Sequence, residues 1–255
     1  MKVTVVGSAD AFNASGRGNS CYLVEGAHGA RLMIDFGPTA LLGLRHVGVS
    51  PNDVSAIAFT HLHGDHMGGF PALIIDALYD VPRTAALPVL GPPLTKHTLG
   101  VLLDTAYGIA LDEVTDFSLE IGELAPGETR LLAGFEVRGF AADHMSPPHQ
   151  PLCLRVTDPD GKSVAFSGDT RFCPGLFEAA DGADLLVAEC TRLAPPAGHH
   201  CTWEEWTTRW SQLRARALLL SHLGTDVRER SAELQRTAGA PLPLRFADDG
   251  LAIEV

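Results

Sequence analysis

Thr60-His61-Leu62-His63-Gly64-Asp65-His66-Met67-Gly68-Gly69 constrains what this chain can fold into more than any other stretch. Three histidines and an aspartate fall within six residues, between the apolar runs Ile57-Ala58-Phe59 and Phe70 to Leu78. The pattern predicts a strand, a polar loop and a helix. His61 and His63, two residues apart at a strand end, point the same way. Gly64 then permits a sharp turn before Asp65 and His66. Neutral imidazole and carboxylate are common ligands of zinc and similar ions. The arrangement suits two adjacent metals, with two ligands from this loop for each. A solvated loop without metal is the alternative, and the regular spacing argues against it.

At 255 residues the chain is long enough for one large core, and no linker divides it, so residues 1–255 read as a single domain. The longest apolar runs, such as Ala215 to Leu220, are too short to span a bilayer. Met1 to Gly7 lacks the apolar core and cleavage site of a signal peptide and reads as a first strand. The five cysteines, Cys21, Cys153, Cys173, Cys190 and Cys201, include no C-x-x-C pair, which fits reduced thiols and a cytoplasmic location. A net charge of -12 makes the surface a poor platform for large nucleic acids. A homodimer is the assembly kept open.

Along the chain, residues 2 to 6 form a strand and Gly7 to Ser20 a loop. Gly16-Arg17-Gly18-Asn19-Ser20 within it reads as a plain turn, with an anion-binding nest as the alternative. Cys21 to Val24 and Arg31 to Asp35 make a hairpin, a helix runs from about Phe36 to Val47, and the strand Val54 to Thr60 feeds the histidine loop. After the helix that ends near Tyr79, Val89 to Pro92 is a strand and turn, and Leu94 to Asp104 a helix. Residues 105 to 127 are expected to form a surface excursion near the site. Strands follow at Thr129 to Leu132, Phe135 to Phe140, Leu152 to Val156 and Ser163 to Phe166, the last two joined by the Asp158-Pro159-Asp160-Gly161 turn. Beyond them come a helix near Cys173 to Ala180, a strand Leu185 to Ala188, a helix Thr202 to Leu213, a strand Ala217 to Ser221 and a helix Asp226 to Thr237. Leu244 to Phe246 with Leu251 to Val255 is expected to close the chain as a hairpin. Two sheets face to face with helices outside would bury such strands on both faces.

The loop alone cannot fill two metal shells. Three further polar residues directly follow apolar strands: His144 after Phe135 to Ala142, Asp169 after Ala165 to Gly168, and His222 after Leu218 to Ser221. One such residue is usually a turn or a cap, but three together with the opening loop point to a common site.

His61-x-His63-x-Asp65-His66, His144, Asp169 in Ser-Gly-Asp-Thr and His222 in Leu-Leu-Leu-Ser-His-Leu resemble the metallo-β-lactamase superfamily in order and spacing, over about residues 1 to 225. That resemblance implies an α/β, four-layer αββα sandwich with a dinuclear site between the sheets. It implies that His61, His63 and His144 hold one metal, that Asp65, His66 and His222 hold the other, and that Asp169 bridges both. Asp35 matches the family's early strand-end aspartate and would orient ligands from behind.

Within the superfamily the chain most resembles the ribonuclease Z and related phosphodiesterase branch. Ala188-Glu189-Cys190-Thr191 and His200-Cys201-Thr202 match stretches of that branch. They make His200 a candidate proton donor or oxyanion stabiliser and Glu189 its orienting partner, with His199 as the alternative to His200. The Lys-rich arm by which ribonuclease Z grips tRNA has no counterpart, since the only lysine between residues 67 and 143 is Lys96. A small phosphodiester such as a cyclic nucleotide therefore fits better than a large RNA.

Two divalent metals sharing a water lower its pKa and present hydroxide to the electrophile. Zinc suits the all-N/O ligand set, with manganese or iron as alternatives. The expected activity is metal-dependent hydrolysis of a small phosphodiester, with Asp65, His200 and Glu189 carrying the chemistry beside the metals. Hydrolysis of a lactone, thioester or β-lactam on the same core is the second reading. A metal-dependent binding module without turnover is the third, and a flavin-linked redox role is weaker because no flavin-binding domain is attached.

Overall fold

The central strands of this chain bury both of their faces, and three separate cores show where each face goes. The computed structural model describes residues 1–255, the side chain of Ala27 excepted. One seven-stranded sheet contains β1 (Lys2–Gly7), β2 (Cys21–Glu25), β3 (Arg31–Ile34), β4 (Ala56–Ala58), β5 (Leu87–Gly91) and β6 (Leu119–Glu123). The other runs, in chain order, through β7 (Thr129–Leu132), β8 (Phe135–Ala141), β9 (Leu152–Thr157), β10 (Ser163–Phe166), β11 (Leu185–Glu189), β12 (Leu218–Ser221) and β13 (Leu244–Phe246). The last strand, β14 (Ala252–Glu254), returns to the first sheet beside β1.

Period-two alternation sorts each strand's side chains into two cores. Val3 and Val5 of β1, Leu32 and Ile34 of β3, Leu154 and Val156 of β9, and Val164 and Phe166 of β10 meet in the core between the sheets. Met33 and Ile57 face the other way, against Leu44 of α1 (Ala40–His46), Phe70 and Leu73 of α3 (Phe70–Ile75), which follows the short α2 (Gly64–Met67), and Leu99 and Leu103 of α4 (Thr95–Tyr107). Ala165, Leu186 and Leu220 face Leu176 of α5 (Pro174–Ala180), Trp206 of α6 (Trp203–Arg209) and Val227 of α7 (Thr225–Thr237). Helices cover both outer faces, so the layers run αββα, as the resemblance implies.

Three local expectations need correction. The terminal strands are not a hairpin: β13 pairs in parallel with β12, whereas β14 pairs antiparallel with β1 in the opposite sheet. Sequence proximity suggested pairing, but each sheet had an open edge that accepts one strand. Residues 105 to 127 are not merely a surface excursion. They contribute β6, which pairs in parallel with β5 and forms the edge of the first sheet, while Val114 and Phe117 enter the core beneath it. The helix expected over Thr202 to Leu213 ends as α6 at Arg209, and a 3-10 turn continues to Gln212.

The Gly16 to Ser20 loop is a turn whose donors are already used. Gly18 N–H donates to Asp249 Oδ2 at 2.8 Å, and the Arg17 guanidinium pairs with Asp248. Among the described residues no helix is long and apolar enough to cross a membrane.

Candidate metal centre

Parallel strands bring their C-terminal ends to one edge, and polar residues just beyond those ends converge there. β3 and β4 pair in parallel with Ile34 opposite Ala58, which sets Asp35 beside Thr60 and the histidine loop. In the second sheet β10, β11 and β12 run parallel, with Phe166 opposite Val187 and Glu189 opposite Ser221. Asp169, Glu189 and His222 therefore leave the sheet side by side. His222 has φ 51° and Asp35 φ 60°, left-handed conformations uncommon for side-chain-bearing residues, and each turns the chain sharply at its strand end.

The seven residues expected as ligands lie together. The donor atoms of His61, His63 and His144 fall within 4.8 Å of one another, as do those of Asp65, His66, Asp169 and His222. Asp169 joins the two groups. Its Oδ1 stands 3.2 Å from His66 Nε2, and its Oδ2 stands 3.3 Å from His222 Nε2, 3.7 Å from His144 Nε2 and 3.8 Å from His61 Nε2. Asp65 Oδ2 lies 3.3 Å from His66 Nε2 and 3.6 Å from His222 Nε2. Donors about 2.1 Å from one zinc ion stand about 3.4 Å apart in a tetrahedron, so these spacings suit shared ions. His61 Nε2, His66 Nε2, His222 Nε2 and Asp169 Oδ1 are buried without a well-formed hydrogen bond. Four converging buried polar atoms left unsatisfied are what a cation-binding site would leave behind.

The outer nitrogens of these rings are occupied, which fixes which nitrogen faces the centre. His66 Nδ1–H donates to Asp35 Oδ2 at 2.8 Å. His144 Nδ1–H donates to the carbonyl oxygen of His199 at 3.0 Å, and His222 Nδ1–H to Thr191 Oγ1 at 3.0 Å. His61 Nδ1 lies 3.1 Å from Thr60 Oγ1, which itself donates to Asp35 Oδ2 at 2.8 Å. In each of the four, Nε2 is the nitrogen that faces the centre. His63 is the exception: its Nδ1 faces inward, 2.9 Å from His144 Nε2.

Burial drives the His61 imidazole well below its ordinary pKa, and burial also lowers His63 and His144. These rings are neutral, the form that binds metal. Burial opposes charge at His66 and His222 too, but the Asp169 carboxylate outweighs it and raises both. Burial likewise pushes Asp65 and Asp169 upward, yet His222 and His66 more than offset it and keep both ionised. A divalent cation bound at the cluster would compete with protonation of those two rings.

Beside the cluster, Glu189 is a hub. Its Oε1 accepts from Thr170 N–H at 2.7 Å and His200 Nδ1–H at 3.0 Å, and its Oε2 from Thr191 Oγ1–H at 2.8 Å and Cys201 N–H at 3.1 Å. His200 stacks on His222 with centroids 5.5 Å apart and meets His144 edge-on at 4.8 Å. Burial lowers its pKa, but Glu189 reverses this and raises it to about 9. The His199 ring is farther away, its centroid 6.4 Å from that of His144, and that residue touches the cluster through its backbone oxygen. Of the two adjacent histidines, His200 is the one whose ring lies on the centre.

Thr60, Thr170 and Thr191 carry no ligand pattern of their own. Each stands within two residues of a candidate site residue, and a hydroxyl beside a buried ligand is the signal the sequence offers for them.

A protein-family model described as Anti-Pycsar protein Apyc1 matches residues 1–239. The chain belongs to this family. The Apyc1-family chain is also 30% identical over 227 residues to the uncharacterized protein Rv1339 of Mycobacterium tuberculosis, covering 88% of this chain and 81% of that protein. It is 30% identical over 196 residues to a ribonuclease Z of Mycobacterium bovis, covering 73% of this chain and 69% of the enzyme. Among solved structures, the metallo-β-lactamase fold protein YhfI of Bacillus subtilis superposes with a TM-score of 0.80 at 21% identity, covering 100% of this chain and 98% of that one. The fold is that of the metallo-β-lactamase hydrolases, and this Apyc1-family member carries a His/Asp cluster able to bind metal.

Proposed function

We propose that the chain is a metal-dependent phosphodiesterase acting on a small substrate, such as a cyclic nucleotide. The observation that carries this reading is the Glu189–His200 pair set against the cluster. His61, His63 and His144 would hold one divalent ion and Asp65, His66 and His222 another, with Asp169 bridging. Zinc suits these donors, and manganese or iron are the alternatives. Such ions would supply an activated water and neutralise charge on the phosphate oxygens.

The remaining work falls to the chain's own side chains. Asp35 holds the His66 ring and, through Thr60, the His61 ring. Thr191 holds His222, and the backbone oxygen of His199 holds His144. Glu189 fixes His200 and favours its protonated form, and an imidazolium there suits donation of a proton to a departing alkoxide or binding of a phosphate oxygen. Asp65 keeps a negative charge between His66 and His222.

The ribonuclease Z relative, an enzyme named for a phosphodiester polymer, supports the bond type. A small substrate is favoured by the net charge of -12 and by Lys96 being the single lysine between residues 67 and 143. The test is a panel of bis(p-nitrophenyl) phosphate, cyclic nucleotides, lactones, a thioester and a β-lactam, assayed with the metal that the purified protein contains. Turnover of the phosphodiesters is expected. Turnover of a lactone, thioester or β-lactam with none of any phosphodiester overturns the assignment, and no turnover at all favours a binding module.

A further inference from the structure

The turn that presents His222 is held by residues far from it in sequence. His222 is buried at the end of β12 with φ 51°, a conformation that costs a side-chain-bearing residue energy and persists where its neighbours over-determine it. Thr191 orients the ring, and the backbone is fixed from the opposite side. Leu223 N–H donates to the Ser8 carbonyl oxygen at 3.1 Å, just past β1, and Ala9 bridges Leu223 in parallel. Gly224 has no room for a side chain: a Cβ there would stand 2.2 Å from the Thr191 carbonyl oxygen and 3.5 Å from Asp10 Oδ2.

Ser8 is fully buried, and Arg228 holds it in place. Arg228 Nη2–H donates to the Ser8 carbonyl oxygen at 2.9 Å and stands 2.8 Å from Ser8 Oγ. Ser8 Oγ–H donates to Asp249 Oδ1 at 2.6 Å, and Asp249 Oδ2 accepts from Gly18 N–H at 2.8 Å. Arg228 lies in the first turn of α7, with its own N–H on the Gly224 carbonyl oxygen at 3.0 Å. The helix that begins just after His222 therefore sends a guanidinium back to the same carbonyl that holds Leu223. The Arg228 side chain is only 10% exposed, a costly place for a cation whose ion pair with Asp248 is 3.4 Å long.

We propose that Arg228 is a positioning residue for one of the two ions: by pinning Ser8 against Leu223, it keeps the His222 turn, and with it Nε2, facing Asp65 and His66. The inference rests on the assignment of Asp65, His66 and His222 to one ion. The Arg228 side chain hydrogen-bonds to Ser8, Ala247 and Asp248, none of which is among the seven donors. His61 and His63 leave β4 and His144 leaves β8, so the other ion does not depend on this turn. Electrostatics gives the opposite sign from positioning. A guanidinium repels a cation, so removing its charge alone would tighten metal binding, whereas removing its hydrogen bonds loosens the turn and weakens it.

The test titrates zinc into the metal-free full chain in competition with a chromophoric chelator, resolving two dissociation constants. His222→Ala marks the constant of the ion held with Asp65 and His66, and His63→Ala marks the other. Arg228→Met is expected to weaken the ion marked by His222→Ala about tenfold or more and to leave the other within about twofold. Arg228→Lys keeps a charged donor that can reach Ser8 and is expected to recover most of that loss. Ser8→Ala breaks the link from Arg228 to Asp249 by a smaller change. It is expected to weaken the same ion alone, and it carries the test if Arg228→Met does not fold. Tighter binding of that ion, equal weakening of both ions, or two unchanged constants overturns the proposal. Fewer than two ions bound by the unmutated chain overturns the two-ion assignment itself, and the proposal falls with it.

Discussion

Asp35 Oδ2 lies 2.8 Å from His66 Nδ1, and its other oxygen accepts from Thr60 N–H at 2.7 Å. One carboxylate on the first sheet thus orients a ring of the cluster and anchors the start of the histidine loop. Asp35→Asn retains a side chain that tolerates the left-handed backbone but removes the charge. Metal affinity should fall by about 10–100-fold, the range found when the partner of a ligating histidine is lost. Competition with a chromophoric chelator measures it, and unchanged affinity would remove Asp35 from the site.

Asp65 Oδ2 lies 3.3 Å from His66 Nε2 and 3.6 Å from His222 Nε2. Asp65→Ala should abolish hydrolysis while circular dichroism and gel-filtration volume stay as in the unmutated protein. Stripping the metal with a chelator should abolish the same activity, and the native ion should restore it. Residual hydrolysis at more than about 1% in either case would place the chemistry elsewhere.

His200 is expected to act on the reaction rather than on metal retention. His200→Ala should lower kcat by about 10²–10⁴-fold with metal content unchanged, the range for loss of a general acid. Glu189→Gln should also lower kcat, because the amide no longer favours the imidazolium and its single oxygen can accept on only one side, from Thr170 N–H and His200 or from Thr191 Oγ1–H and Cys201 N–H. Equal losses in metal content and kcat would instead mark both residues as structural.

Gly37 packs its backbone against the histidine loop with no room for a side chain. A Cβ there would stand 2.0 Å from the Asp65 carbonyl oxygen and 3.0 Å from Asn19 Cβ. Neither neighbour is the free end of a flexible chain. Gly37→Ala should therefore cost about 1–3 kcal/mol or more in denaturant unfolding and weaken metal binding as well. A loss of stability with metal affinity intact would show that the loop relaxes independently of its ligands.

Glu25 contributes a pH-dependent increment far from the centre. Lys2 at 2.6 Å, and then Arg31 at 3.2 Å, hold its carboxyl below the usual value despite partial burial. A carboxylate whose folded pKa is depressed stabilises the fold above its unfolded value, about 4.3, and loses that contribution as pH falls through the folded one. Glu25→Gln should lower stability at neutral pH by up to about 1 kcal/mol and flatten the acid limb of the stability profile. A parallel offset at every pH would assign the effect to packing.

The layers were legible because period-two alternation and strand-to-helix spacing depend on local chemistry. The residues expected as ligands were legible for a related reason: they stand at or just beyond the ends of apolar strands. Parallel pairing of β3 with β4 and of β10, β11 and β12 carries most of those ends to one edge, and His144 joins them from β8, which pairs antiparallel with β9. Less was legible where the outcome depended on competition between distant partners. The pairing of β13 and β14 with opposite sheets is one case, since two open edges outweighed a hairpin of adjacent strands. The choice between His199 and His200 is another. The two residues are adjacent in sequence and chemically identical, and only the approach of Glu189 to one ring separates them.

The sequence by itself determined the kind of layer each segment could enter and the residue types available at the strand ends, because burial period and strand-end chemistry are properties of neighbours along the chain. The tertiary structure alone decided which nitrogen of each ring faces the centre, and how Thr60, Thr170 and Thr191 link the cluster to Asp35 and Glu189. Those are relations across many residues of chain, set by how the strands pair and pack, and no local pattern encodes them. The histidine loop supplies His61, His63, Asp65 and His66, and the strand ends beside it bring His144, Asp169 and His222 to within 4.8 Å of them.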